Sequence, residues 1–174
     1  FDMLGEAAMT QADADRYFND YLHAIESVGK DAAGRTIYNG NSVSVKLSAI
    51  HPKYWRAKYD RVIDELYPRV KELFLLAQKY NISVNIDAEE ASRLELSLDL
   101  VEKLLDEPEL KGYKGIGYVV QAYSKRCPFV LDYLINLARE KDGYLMIRLV
   151  KGAYWDSEVK WAQADGLDGF PLYT

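Results

Sequence analysis

Short runs of β-branched and aromatic residues alternate along the chain with longer stretches whose apolar positions recur every three or four residues. The short runs lie at 43–47, 82–86, 116–120 and 144–150, with a weaker one at 2–4. Val, Ile and Tyr fit a pleated surface, so these segments are expected as strands. The longer stretches read as amphipathic helices. One runs from about Asp13 to Val28, with Gly29 near its end. A second places Tyr59, Val62, Ile63, Leu66, Val70, Leu73 and Phe74 on one face, with Pro68 marking a break or a new first turn. Leu94, Leu98, Val101 and Leu105 make a third stripe, and Phe129, Val130, Tyr133, Leu134 and Leu137 a fourth. A last helix is expected to begin around Trp155-Asp156-Ser157.

Such β-α alternation implies a parallel sheet with right-handed crossovers, either a doubly wound open sheet or a β/α barrel. A barrel takes about 250 residues. The 174 residues present would hold about the first five β/α units of one. No initiator Met stands at position 1 and the chain stops at Tyr173-Thr174, so it is expected to be part of a longer barrel domain. The turn-rich segment 31–41, with Gly34, Asn39 and Gly40, is read as a loop and not as a domain linker.

Composition narrows the class. About half the residues are hydrophobic and the net charge is −5, which suits an ordinary globular domain. Lys and Arg are scattered along helix faces, which argues against nucleic-acid binding through this segment. The single Cys127 has no internal partner for a disulfide. With no signal-peptide pattern and no long apolar run, a cytoplasmic setting is expected.

In parallel β/α folds ligands bind beyond the carboxyl ends of the strands. Glu6 follows the first run, and Lys46 lies on the second, ahead of Ser48 and His51. Asp87, Glu89 and Glu90 follow the third, Gln121 and Tyr123 the fourth, and Arg148, Lys151, Ala153 and Tyr154 the fifth. Lys46 and Arg148 sit inside apolar runs. A buried charge needs a partner or a ligand. Asp87 is the candidate partner for Lys46 and Glu89 for Arg148, so structural ion pairs stand beside the ligand-binding reading. The carboxylates lack His neighbours apart from His23 and His51, so no metal site is expected. A glycosidase carboxylate pair fits poorly with two cations. Cys127, beside Pro128 and without a nearby His, reads as a bystander. Two cations and Gln121 suit an electron-rich, hydrogen-bonding ligand such as a flavin ring or a carboxylate substrate. An unrelated barrel lyase with a Schiff-base Lys46 is the alternative, and it requires a depressed lysine pKa.

Several motifs carry a resemblance across nearly the whole chain. They are Val45-Lys46-Leu47-Ser48-Ala49, Asn85-Ile86-Asp87-Ala88-Glu89-Glu90, Val120-Gln121-Ala122-Tyr123 and Ile147-Arg148-Leu149-Val150-Lys151-Gly152-Ala153-Tyr154-Trp155, with the opening Asp2-Met3-Leu4-Gly5-Glu6-Ala7. Together they resemble the proline dehydrogenase domain of the bacterial bifunctional proline utilisation flavoproteins (the PutA family). The resemblance implies a TIM-type (β/α) barrel holding FAD. It also implies oxidation of L-proline to Δ1-pyrroline-5-carboxylate by hydride transfer to the flavin. Electrons would pass on to membrane quinone, with peripheral membrane association when reduced. An aldehyde dehydrogenase domain would lie elsewhere in the parent polypeptide. By position, Arg148 would hydrogen-bond the flavin near its reactive nitrogen, and Gln121 would meet the pyrimidine side. Asp87, Ala88, Glu89, Val150 and Ala153 would line the flavin. Lys46 would bind the proline carboxylate, Ala153 and Tyr154 would border the proline ring, and Asp87 would complete the catalytic group. Glu6, assisted by Asp2, would pair with a substrate-binding arginine. In the family the main carboxylate-binding arginines lie in later barrel units, so this chain by itself is expected to hold an incomplete site. A half-barrel without bound cofactor is the corresponding alternative.

Overall fold

The computed structural model describes residues 1–2 and 5–173. Helix α1 (Gln11–Asp31) opens on a capping box, in which Thr10 accepts from the Asp13 amide while the Asp13 side chain reaches back. Strand β1 (Ser42–Val45) follows. Helix α2 (Tyr59–Arg61) widens into a π-helical turn over Val62–Leu66 and resumes as α3 (Tyr67–Tyr80), with Pro68 in its first turn. Proline has no amide hydrogen to lose there, which answers the expected break. Asn81 ends α3 in the left-handed conformation, at φ 53°. Then come β2 (Ser83–Ile86), α4 (Leu94–Leu105), β3 (Ile116–Gln121), α5 (Cys127–Glu140), β4 (Met146–Val150) and α6 (Trp155–Ala164).

The four strands are parallel and lie in chain order, β1-β2-β3-β4. A doubly wound sheet must reverse its strand order at a switch point. Consecutive order with crossovers of one hand instead puts every helix on the same face. The sheet is also strongly curled. Arg148 on β4 donates to Ser44 Oγ on β1 across 3.4 Å. In a flat sheet those strands would stand about 14 Å apart, three spacings of about 4.8 Å. Consecutive order and curl are the marks of a TIM-type barrel wall.

Strand parity divides the sheet. Val43, Val45, Val84, Ile86, Ile116, Tyr118 and Val120 face the helices and are buried. They pack with Tyr21 and Ile25 of α1, Leu73 and Phe74 of α3, Leu100 and Leu104 of α4 and Leu134 of α5 in one core. Burying each such side chain fully contributes about 1.5–3 kcal/mol. Ser44, Asn85, Gly117, Val119, Arg148, Gln121 and Val150 occupy the alternate positions, and Lys46 and Asp87 continue that parity past the strand ends. Gly117 has to be small, because a Cβ there would meet the Val84 carbonyl oxygen at 2.9 Å and press on the Asn85 side chain.

Three expectations change. The α4 face is rotated, with Leu96, Leu100, Val101 and Leu104 buried and Leu94, Leu98 and Leu105 at its margin. Leucines at almost every second or fourth position offer two overlapping stripes, and packing selects one. On α5, Phe129 is 73% exposed and Tyr133 38%, so the working stripe is Val130, Leu134 and Leu137. Of the weak first run, Asp2 makes a single parallel bridge to Ser44, while Met3 and Leu4 lie outside the described residues.

Candidate active site

The polar face of the sheet ends in a charged row. Lys46, just beyond β1, places Nζ 3.3 Å from Asp87 Oδ2 and 3.7 Å from Asp2 Oδ1. The other Asp87 oxygen accepts from Arg148 Nη2. One carboxylate therefore lies between two cations, and the expected Lys46–Asp87 pair is present. The expected Arg148–Glu89 pair is not: Arg148 takes Asp87, and Glu89 is held by Arg93 one helical turn on. The end of β2 at Ile86 explains the swap, because strand alternation lapses beyond Asp87. Asp87 points to the same face as Arg148, whereas the Glu89 side chain turns into the wall, where it is 2% exposed.

Burial opposes the Lys46 charge, but Asp87, Asp2 and Glu6 outweigh it and the pKa ends above the ordinary lysine value. A Schiff-base lysine needs the opposite shift, so the lyase alternative finds no support. The Lys46 amide is held by Tyr21 Oη of α1 at 3.2 Å. That phenol is pushed up to about 12, chiefly by burial.

The remaining expected residues surround this row. Gln121 donates through Nε2 to the Glu89 carbonyl at 2.9 Å and accepts through Oε1 from the Ala153 amide at 3.0 Å. Val150 is the register partner of Gln121 on β4. Ala88, Glu89, Gln121, Tyr123 and Cys127 line one pocket beside the strand ends. Cys127 is buried there, and burial raises its thiol pKa, as befits a bystander. Gly152, at φ 124°, lets the Tyr123 ring lie against the backbone where a Cβ would meet it at 2.5 Å. Tyr123 Oη in turn accepts from the Tyr154 amide at 3.2 Å. The Tyr154 hydroxyl donates to Glu6 Oε1 at 2.9 Å, joining the start of the chain to the loop after β4. Burial and the Glu6 carboxylate together raise the Tyr154 pKa.

Sequence reading missed Ser44, Arg93, Tyr21 and Glu158. Ser44 shares parity with Lys46, and that signal was available in the alternation itself. Arg93 lies on a 3-10 turn (Ala91–Arg93), where neither period applies. Glu158 of α6 is buried and accepts from the Ala91 amide at 2.6 Å, pinning α6 over the loop after β2. Among the described residues no three His, Cys, Asp or Glu side chains gather in a metal-binding group.

With this geometry in view, the family model for proline dehydrogenase matches residues 1–174. The chain belongs to the proline dehydrogenase family. The bifunctional PutA proteins of Klebsiella aerogenes and Escherichia coli K12 are each 64% identical over the whole chain, which spans 13% of their length. A crystal structure of a mutant PutA from Bradyrhizobium japonicum superposes with a TM-score of 0.97 at 50% identity, covering all of this chain and 18% of that one. The proline dehydrogenase family accounts for the barrel wall found here.

Proposed function

We propose that this chain supplies the carboxyl-end face of a proline dehydrogenase barrel that oxidises L-proline to Δ1-pyrroline-5-carboxylate with FAD. The observation that carries the reading is the Lys46–Asp87–Arg148 row beside Gln121, in a member of this family. The donor set fits a flavin. Gln121 spends one N–H and one lone pair on Glu89 and Ala153, leaving one donor and one acceptor, the mixed pattern a flavin pyrimidine edge presents. Asp87, Ala88, Glu89, Val150 and Ala153 would hold the ring beside it. When bound, FAD supplies the two-electron acceptor for hydride from the carbon beside the proline nitrogen.

This chain's residues would do the rest. Arg148, fixed by Asp87 and Ser44, stabilises negative charge that develops at the acceptor. Lys46, kept protonated by its carboxylate neighbours, offers a point charge to the proline carboxylate. Tyr154 and Ala153 form an apolar wall for the ring, with Glu6 and Asp2 at its rim. The raised Lys46 pKa disfavours it as the base that keeps the amine neutral. Transfer of electrons to membrane quinone, the aldehyde dehydrogenase domain and a cytoplasmic setting with membrane association on reduction belong to the full-length parent in this reading. Among the described residues no helix is long and apolar enough to cross a membrane.

Anaerobic titration of the full-length chain with L-proline tests the reading. A flavin absorbance band that bleaches on proline addition is the expected result. A flavin that stays oxidised overturns the substrate. A colourless protein overturns the cofactor.

A further inference from the structure

Arg93 lies between the rings of Tyr54 and Trp55, its guanidinium carbon 5.6 and 5.2 Å from their centroids. It is buried and holds Glu89 Oε2, with Glu90 Oε2 at 3.2 Å. The other Glu89 oxygen accepts from the Ser48 amide at 3.1 Å, in the loop after β1. The Glu89 carbonyl accepts from Gln121 at the end of β3, and Gln121 accepts from Ala153 in the loop after β4. One chain of contacts thus joins the ends of all four strands, and it runs behind the charged row without including Lys46, Asp87 or Arg148.

We infer that Arg93 is a positioning residue which, through Glu89, sets the Gln121 amide and the Ala153 loop against the ring edge of the bound cofactor. The inference rests on the flavin reading of the site. Burial drives the Glu89 pKa up against the pull of Ser48 and Arg93. Without Arg93 the carboxyl would protonate or turn toward water, and the backbone bond from Glu89 to Gln121 would lose its fixed anchor. Within this set of contacts Gln121 both faces the sheet's polar side and spends part of its amide on the wall. It transmits any displacement of Glu89 toward the ligand.

The test is Arg93→Met in the full-length protein, with two readouts. Hydrogen exchange in the peptide over residues 151–155 should lose about ten-fold of its protection, as expected when roughly one hydrogen bond is loosened, while β2 and β3 amides keep theirs. The flavin midpoint potential should become more negative. Unchanged exchange and potential in a folded Arg93→Met protein overturn the inference. So does a uniform loss of protection across the sheet, which would make Arg93 a packing residue only. If that variant does not fold, Glu89→Gln keeps an oxygen for Ser48 and the carbonyl for Gln121 while discharging the ion pair. The same two shifts, smaller, are expected, and their absence is again fatal. Wild-type protein without a proline-responsive flavin would sink the functional reading alone, since the exchange experiment still decides the network.

Discussion

The two faces of the sheet are built from alternate residues of the same four strands, yet they do opposite work. The helix-facing set is aliphatic or aromatic, and in β1, β2 and β3 it is sealed. The opposite set includes Ser44, Asn85, Gln121 and Arg148 among Gly117, Val119 and Val150, with Lys46 and Asp87 at its rim. A one-residue slip of register would exchange the faces, burying Arg148 under helices and presenting valines to the ligand. In the proposed reading stability resides on one face and chemistry on the other, and substitutions should separate them.

The largest effect expected is on the sealed face. Ile86→Ala should cost about 2–5 kcal/mol, read as a lowered midpoint in urea unfolding. Ser44→Ala, two strand positions from the rim on the other face, should cost under about 1 kcal/mol by the same measurement. Equal costs would erase the division. Next is Asp87→Asn. It should leave the fold standing but slow proline-dependent flavin reduction about 100-fold, because Arg148 loses its orienting carboxylate. The Lys46 pKa should fall at the same time, since Asp87 is the largest attraction acting on it. A rate within a few-fold of wild type would show that the charged row is structural.

Much of this division is legible in the sequence. Period-2 alternation locates β2 and β3 closely, and it predicts the Lys46–Asp87 pair because both residues end polar parity on neighbouring strands. The family motifs add the roles proposed for these residues. What stays hidden depends on contacts between distant segments. The α4 stripe cannot be phased from six closely spaced leucines at 94–105. Glu89 and Asp87 differ by two positions, and alternation alone would send both to one face. The chain leaves the strand after Ile86, so Glu89 turns into the wall and Arg93 takes it from Arg148. Tyr154 meets Glu6 across most of the chain's length, beyond any local pattern.

Between the faces, the loop after β4 offers a middle-sized test. Gly152→Ala puts a Cβ into the Tyr123 ring and a side chain at an unfavourable positive φ. A loss of about 1–3 kcal/mol is expected in urea unfolding. Proline binding should weaken with it, since Tyr154 hangs from Tyr123. Normal binding would detach the Tyr123–Tyr154 contact from the site.

The smallest effect lies away from both faces, at His51. Its side chain is 1% exposed, with Nε2 3.1 Å from Glu65 Oε2. The Lys53 amide can only donate, so Nδ1 at 3.2 Å must accept and the proton sits on Nε2. A second proton on Nδ1 would set two donors against each other. Burial lowers the pKa below 6.5 despite Glu65, and Arg61 and Arg69 push the same way. The unfolded chain thus takes up a proton near 6.5 that the folded chain refuses. Between that pH and the lower folded value the unfolded state binds more protons, so stability falls as pH falls and levels off below the folded pKa. Urea midpoints measured from about pH 7.5 to pH 5.5 should decline in wild type and decline less in His51→Gln. If both slopes match, His51 is not the titrating group, and carboxylates such as Glu65, whose pKa Arg61 and His51 hold low, would act only at still lower pH.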